Sequence, residues 1–129
     1  NANEAYVNGD CSVFGTLYTS SGTVSRSDRN AKCDESELDI KKAEEFIYSL
    51  KPKKYKYRNG TSNRYHHGFI AQEVKEAMGE DDWGVYVDGN PKKEGHKALR
   101  YEELIADLVA TVQSQNVRIK ELEKKIGKE

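Results

Sequence analysis

Apolar residues recur at helical spacing in two central segments of the chain. Over 40–50 they fall every three or four positions, and Pro52 ends the pattern because proline cannot continue a helix. Ser36 and Asp39, just ahead of this segment, resemble a weakened capping box. Ala71–Met78 repeats the spacing over a shorter length. These patterns predict two short amphipathic helices, each of which buries one face.

Between and after these helices, short segments have the composition of strands. Residues 53–58 interleave Lys and Tyr, an Asn-Gly pair that favours a tight turn follows, and 65–70 would form the returning strand. A second pair of strands is predicted over 83–88 and 96–101. Two hairpin-like pairs with two short helices predict a small mixed domain of the α+β class.

From residue 102 to residue 125 the chain contains neither Pro nor Gly, and its apolar residues follow a heptad repeat. The a positions are Ile105, Val112, Ile119 and Ile126, and the d positions are Leu108, Gln115 and Leu122. About three heptads with one polar layer indicate a C-terminal coiled-coil helix. β-branched residues at a with Leu at d favour two strands, so the pattern by itself does not establish a trimer. The alternative is an amphipathic helix packed on its own domain.

The N-terminal segment, 4–24, consists mainly of small, polar and β-branched residues interrupted by glycines. Its central part, 11–19, is β-prone, but a strand pair with so few large apolar groups cannot form a core alone. The segment is therefore either a disordered leader or the end of an intertwined β-stalk, in which copies of the chain complete one another's core.

Composition narrows the class of protein. Of 129 residues, 36% are hydrophobic and 33% are charged, which is thin for a monomeric core and favours burial against other copies. The net charge of -1 creates no field that would attract nucleic acid or a membrane. No apolar run reaches the roughly 18 residues of a membrane span. The two cysteines lack metal-site spacing and are expected to be free thiols. We expect a soluble protein.

A serine and a lysine lie five residues apart where the polar N-terminal segment gives way to the helical part. Ser27 and Lys32 could form a dyad in which a neutral lysine takes the serine proton. A lysine does this near neutral pH only when burial or nearby cations lower its pKa. Arg26 and Arg29 would help, whereas Asp28 would oppose it. Because such spacing is common in charged loops, the spacing alone favours an ordinary connector.

Two adjacent histidines, His66 and His67, precede Gly68 in a predicted strand. Their side chains would point to opposite faces, so at most one of them faces any given site. No second cluster has metal-ligand spacing, which disfavours a zinc site. One histidine could donate a hydrogen bond to a developing oxyanion or orient the reacting amide. Arg100 and Tyr101, just before the tail helix, could form a polar anchor at an interface.

Three blocks of sequence, considered together, resemble one family in order and in spacing. They are Ser27-Asp28-Arg29-Asn30-Ala31-Lys32, Gly68-Phe69-Ile70-Ala71-Gln72-Glu73-Val74, and Leu99-Arg100-Tyr101 leading into the heptad helix. The chain resembles the C-terminal intramolecular chaperone domain of the endosialidase type, a self-cleaving peptidase domain of phage tail spikes, tail fibres and neck appendages. The resemblance extends over about residues 25–126, and its most specific part is the second block.

This resemblance implies a homotrimer that promotes folding of an upstream β-stalk of the same chain and is then released by cleavage before the serine. At the matching positions it implies Ser27 as the nucleophile and Lys32 as its base. The scissile bond would be Arg26–Ser27. A histidine and an arginine of the site are looser transfers, and the candidates are His66 or His67 and Arg100.

The same resemblance implies three regions: the end of the stalk (1–26), a chaperone and autoprotease domain (27–101) and a coiled-coil helix (102–129). The domain would act in the host cytoplasm during phage assembly, with the parent protein in the tail or neck of the virion. It implies no cofactor, metal, nucleic acid or membrane partner.

Two other functions stay open. One is a permanent trimerisation or attachment module without catalysis, and the other is an autoproteolytic release domain of a membrane-bound transcription factor. The glycine-interrupted, β-prone segment upstream favours a phage stalk over the transcription factor.

Overall fold

The computed structural model describes residues 3–60, 62–90, 92–93 and 95–127, and it divides into two compact units. The first unit, Asn1–Ser36, contains one regular element among its described residues, a 3-10 turn at Arg29–Ala31. Its large apolar side chains are exposed to solvent: Tyr6, Val7, Val13, Phe14, Leu17, Tyr18 and Val24. In the single chain this unit therefore has no hydrophobic core among the residues described.

The second unit, Glu37–Glu129, contains three helices: α1 (Ile40–Ser49), α2 (Ala71–Met78) and α3 (Leu104–Lys125). All three were predicted from the apolar spacing. Asp39, rather than Ser36, caps α1, because its carboxylate accepts a hydrogen bond from the Lys42 N–H at 3.2 Å. Within the described part of the chain, no helix combines the length and the apolar content that crossing a bilayer requires.

Two short antiparallel strand pairs complete the second unit. β1 (Lys53–Tyr55) pairs with β2 (His66–Gly68) so that Tyr55 lies opposite His66. β3 (Tyr86–Val87) pairs with β4 (Ala98–Leu99). Both pairs were predicted, but the strands are shorter than the sequence pattern suggested. Together with the helices they form the small mixed α+β domain that the sequence predicts.

The core of the second unit lies where α1, α2 and the start of α3 meet. Its buried members are Phe46, Val74, Met78, Val85 and Leu104. Trp83 packs edge-on against Phe46, with ring centroids 5.1 Å apart. Leu104, the first residue of α3, thus anchors the long helix in the same core as the two short ones.

α3 has two different faces. The inner face packs along α1 and contains the buried residues Leu104, Asp107, Ala110 and Thr111. The other face, which we call the outer seam, consists of the exposed residues Ile105, Leu108, Val112, Ile119, Leu122 and Ile126. These are six of the seven residues assigned to the a and d positions of the heptad. The helix therefore packs on its own domain without using its heptad seam.

Gln115 departs from the heptad assignment. Its side-chain amide donates a hydrogen bond to the Tyr48 hydroxyl of α1 at 2.8 Å. The predicted polar d layer is therefore drawn towards the inner face.

Candidate functional site

The 3-10 turn at Arg29–Ala31 brings Lys32 back to Ser27. Asp28 caps the turn, because its carboxylate accepts a hydrogen bond from the Asn30 N–H at 2.8 Å. The Ala31 N–H then donates to the Asp28 carbonyl at 2.9 Å. As a result, the Lys32 Nζ lies 2.7 Å from the Ser27 Oγ, within hydrogen-bonding distance.

Two charged neighbours of this pair, Arg29 and Asp28, are engaged with other groups. The guanidinium of Arg29 forms an ion pair with Glu35, and the carboxylate of Asp28 is used in capping the turn. Ser27 and Lys32 are both exposed in the single chain. A protonated Lys32 donates the hydrogen bond, whereas a neutral amine would accept it from the serine hydroxyl, which is the direction that a base requires.

From the sequence spacing alone, this segment was interpreted as an ordinary charged connector. One signal in the sequence could have indicated a capped turn. It is Asp28, whose carboxylate accepts a hydrogen bond from the backbone N–H two residues later. A single turn of this kind closes the distance between residues five apart. The turn therefore places the side chains of Ser27 and Lys32 within hydrogen-bonding distance of each other.

His66 and His67 lie on opposite faces of the β1–β2 hairpin. His66 is paired with Tyr55, and its ring stacks on the Tyr55 ring with centroids 5.9 Å apart. It also meets the Tyr57 ring edge-on at 5.0 Å. His67 is paired instead with Lys54. Only His66 therefore belongs to the aromatic face of the hairpin.

Two tyrosine hydroxyls converge on the glycine that follows the histidines. A Cβ added at Gly68 would lie 2.6 Å from the Tyr101 Oη and 3.1 Å from the Tyr55 Oη. The pKa of Tyr55 is raised, first by its hydrogen bond with Tyr57, then by burial and by a hydrogen bond with Tyr101. The Tyr55 phenol therefore stays neutral and keeps its donor capacity at physiological pH.

Arg100 and the 3-10 turn Tyr101–Glu103 form what we call the lead turn, since α3 follows it directly. The Arg100 backbone N–H donates to the Val85 carbonyl at 2.8 Å, and its guanidinium donates to the Gly84 carbonyl at 2.6 Å. A Cβ added at Gly84 would lie 2.7 and 2.8 Å from the two carboxylate oxygens of Glu103. Arg100 thus holds the loop before β3 against the start of α3.

A broad groove of about 820 Å³ opens beside the aromatic face of the hairpin. Its lining includes Tyr55, Tyr57, Gln72, His96 and Tyr101. Glu73, the next residue of the Gly-Phe-Ile-Ala-Gln-Glu block, has one buried carboxylate oxygen without a hydrogen-bond partner, and its other oxygen lies 3.7 Å from the Lys53 Nζ. The block that sequence reasoning singled out therefore borders this groove.

The sequence-predicted site residues fall into two groups. Ser27 and Lys32 are brought together in the first unit, whereas His66, His67 and Arg100 belong to the second. Sequence reasoning missed Tyr55 and Tyr101 as neighbours of the histidine strand. Among the described residues, no group of three or more His, Cys, Asp or Glu side chains could hold a metal ion.

The first unit contains the capped turn with Ser27 and Lys32, and the second unit is the small α+β domain with a long terminal helix. Residues 27–82 match the family described as Chaperone of endosialidase, a peptidase family, so the resemblance is confirmed over this segment. The match supports an intramolecular chaperone role and a self-cleaving peptidase activity in general terms. No curated protein matches the chain.

Proposed function

We propose that this domain trimerises, assists the folding of an upstream β-stalk of the same chain, and then releases itself by cleaving the Arg26–Ser27 bond. The single observation that carries the proposal is the 2.7 Å contact between the Lys32 Nζ and the Ser27 Oγ. The family match also begins at Ser27, the residue that would become the new N-terminus. The parent protein is then a phage tail or neck component.

The chemistry uses the serine on the leaving side of the bond. Neutral Lys32 takes the hydroxyl proton, and the Ser27 Oγ attacks the Arg26 carbonyl carbon. The peptide C–N bond breaks as the new C–O bond forms, and the Ser27 nitrogen takes up a proton to become a free amine. Water then hydrolyses the ester, which leaves a carboxylate on Arg26 and a free Ser27 hydroxyl.

Assembly supplies the environment that the base requires. In the single chain Lys32 is exposed, and a lysine side chain acts as a base only in its neutral form, which exposure to water disfavours. Association of copies around this segment would remove water from the amine and favour its neutral form. Cleavage is thereby tied to completed assembly, which prevents premature release of the chaperone.

Of the two histidines, we assign the role in cleavage to His66. It lies on the aromatic face of the hairpin that borders the groove, whereas His67 faces the Lys54 side. In the assembled state His66 would donate a hydrogen bond to the developing oxyanion or orient the reacting amide. Arg100 would act by holding the lead turn through its bonds to Gly84 and Val85.

The test is intact-mass spectrometry of serine and lysine variants in a chain that carries more of the upstream stalk. Ser27→Ala and Lys32→Ala should each abolish cleavage while the trimer still assembles. Lys32→Arg should also fail, because arginine stays protonated. In the unchanged chain the cleavage rate should rise with pH as the neutral amine becomes more abundant. Cleavage that survives Ser27→Ala, or a new N-terminus other than Ser27, would contradict the mechanism.

A permanent trimerisation module is the second candidate, and the outer seam of α3 is the observation that favours it. Six exposed apolar residues along one helix face would join copies whether or not the chain is cut. The two candidates differ in the mass of the assembled protein. A permanent module keeps one uncut chain, whereas the self-cleaving domain yields a fragment that begins at Ser27.

A further inference from the structure

The lead turn is bonded to the strand that carries the histidines through a single hydroxyl group. The Tyr101 Oη accepts a hydrogen bond from the Phe69 N–H at 3.1 Å and donates one to the Phe69 carbonyl at 3.3 Å. The two rings also lie together, with centroids 6.2 Å apart. One side chain at the start of α3 therefore satisfies both backbone groups of the residue that follows β2.

Gly68 is what allows this approach. A methyl group there would lie 2.6 Å from the Tyr101 Oη, which is closer than a real Cβ contact comes. Glycine at this position therefore lets the tyrosine hydroxyl approach the backbone of β2, and a side chain there would displace that hydroxyl.

The contacts continue from Gly68 to His66. The Tyr55 Oη lies on the other side of the Gly68 position, 3.1 Å from where a Cβ would be. The Tyr55 ring stacks on the His66 ring, and the Tyr55 hydroxyl lies 3.4 Å from that of Tyr57. A continuous path of direct contacts thus joins the start of α3 to one histidine and bypasses the other.

We propose that Tyr101 and Tyr55 are positioning residues for His66, which fix β2 to the start of α3 so that assembly through α3 sets the place of the histidine. This role rests on the proposed self-cleavage. It also gives a reason why the histidine strand, the glycine and the residues before the tail helix occur together. An ordered α3 fixes the position of Tyr101, whose hydroxyl is hydrogen-bonded to the backbone of Phe69. Tyr55 in turn orients the His66 ring by stacking on it.

The test compares tyrosine-to-phenylalanine variants, which keep the ring and remove only the hydroxyl. Tyr101→Phe, in a chain with upstream stalk, should slow the appearance of the Ser27 fragment by about three- to tenfold, the effect of about one neutral hydrogen bond. Tyr65→Phe is the matched control. It lies in the same hairpin, and its described contacts are the ammonium groups of Lys54 and Lys56 over its ring, at 4.5 and 4.7 Å.

Two further measurements separate positioning from a general loss of structure. Hydrogen exchange of the Phe69 amide should quicken in Tyr101→Phe and stay unchanged in Tyr65→Phe, with equal trimer mass by sedimentation for both. Gly68→Ala should also slow cleavage, by pushing the Tyr101 hydroxyl away. Because both changes break the same contact, the double variant should be no slower than the slower single variant.

Each outcome decides a different point. Ser27-dependent cleavage that proceeds at the normal rate in Tyr101→Phe, or slowing that is additive with Gly68→Ala, would overturn the positioning role alone. Cleavage that persists in Ser27→Ala would overturn the proposed function instead. If Tyr101→Phe does not assemble, Tyr55→Phe is the second test, since it removes the neighbouring hydroxyl from the same path. A normal rate in an assembled Tyr55→Phe would then refute the inference.

Discussion

The N-terminal segment over 3–24 and the outer seam of α3 both expose large apolar side chains, yet they differ in their backbones. In α3 each interior N–H is hydrogen-bonded within the helix, so the outer seam needs no further backbone partners. The N-terminal segment forms no strand or helix among its described residues, so these residues do not have the repeated backbone hydrogen bonds of regular secondary structure. Association would therefore bury the outer seam of a helix that is already formed, whereas the N-terminal segment would gain its secondary structure only on association.

This difference suggests an order of events for a folding chaperone. A preformed helix loses little conformational entropy on association, whereas an irregular segment has to be ordered residue by residue. α3 can therefore gather the copies first. The high local concentration of N-terminal segments would then favour their mutual strand pairing.

The largest effect is expected from a charge placed in the outer seam. Ile119→Asp should abolish the trimer at micromolar concentration, because the interface would bury an unpaired carboxylate at a cost of several kcal/mol. Val117→Asp is the matched control, since both side chains are 55% exposed in the single chain but Val117 lies off the seam. Sedimentation equilibrium measures the difference. Equal dissociation of both variants would show that the seam is not the interface.

Hydrogen exchange over 4–24 measures whether this segment becomes ordered only on assembly. We expect strong amide protection of this segment in the assembled protein and almost none in the Ile119→Asp chain. The reason is that its backbone partners come from other copies. α3, in contrast, should keep part of its protection near the core-anchored Leu104 in both forms. Equal protection of 4–24 in the two states would contradict the stalk interpretation.

A smaller effect is expected where the inner face of α3 meets α1. Tyr48→Phe removes the hydroxyl that accepts the Gln115 hydrogen bond, and it should lower the free energy of unfolding by about 1 kcal/mol. The trimer mass should not change, because this contact lies within one chain. Tyr65→Phe again provides a control. A loss of trimer in Tyr48→Phe would show that Gln115 serves the seam instead.

The smallest effect is a pH-dependent gain in stability at the inner face. Burial raises the pKa of the Asp107 carboxyl, which is only 7% exposed. Its charged form is therefore penalised in the folded state, and the penalty grows as pH rises above the ordinary pKa of about 4. Asp107→Asn should raise the melting temperature at neutral pH by a few degrees and change little at lower pH.

The control for this measurement is Asp82→Asn, at an exposed carboxyl near the same part of the core. It should leave the melting temperature unchanged across the pH range. A lower melting temperature of Asp107→Asn at neutral pH would show that the charged carboxylate is stabilising.

The elements of the second unit could be predicted because each depends on local signals. Apolar spacing, Pro52 and Gly79 fix α1 and α2, and the absence of Pro and Gly fixes α3. The cap at Asp39 was misplaced to Ser36, because both residue types cap helices and only the backbone decides between them.

The candidate site was less predictable, since it depends on contacts between distant residues. The Tyr101 contact with Phe69 spans 32 positions, and no local pattern indicates it. The Ser27–Lys32 distance follows from one capped turn, which spacing alone could not distinguish from a loop. The heptad pattern identified the residues of the outer seam, whereas the number of copies in the proposed assembly depends on surfaces that come from other chains.

We propose that cleavage before Ser27 follows assembly, and one time course tests this order of events. The unchanged chain, with upstream stalk, and its Ile119→Asp variant are incubated at equal concentration, and the fragment that begins at Ser27 is quantified by mass spectrometry. We expect steady formation of this fragment in the unchanged chain and essentially none in Ile119→Asp, although both contain Ser27 and Lys32. Equal rates in the two proteins, with Ile119→Asp confirmed as monomeric, would show that cleavage does not depend on assembly.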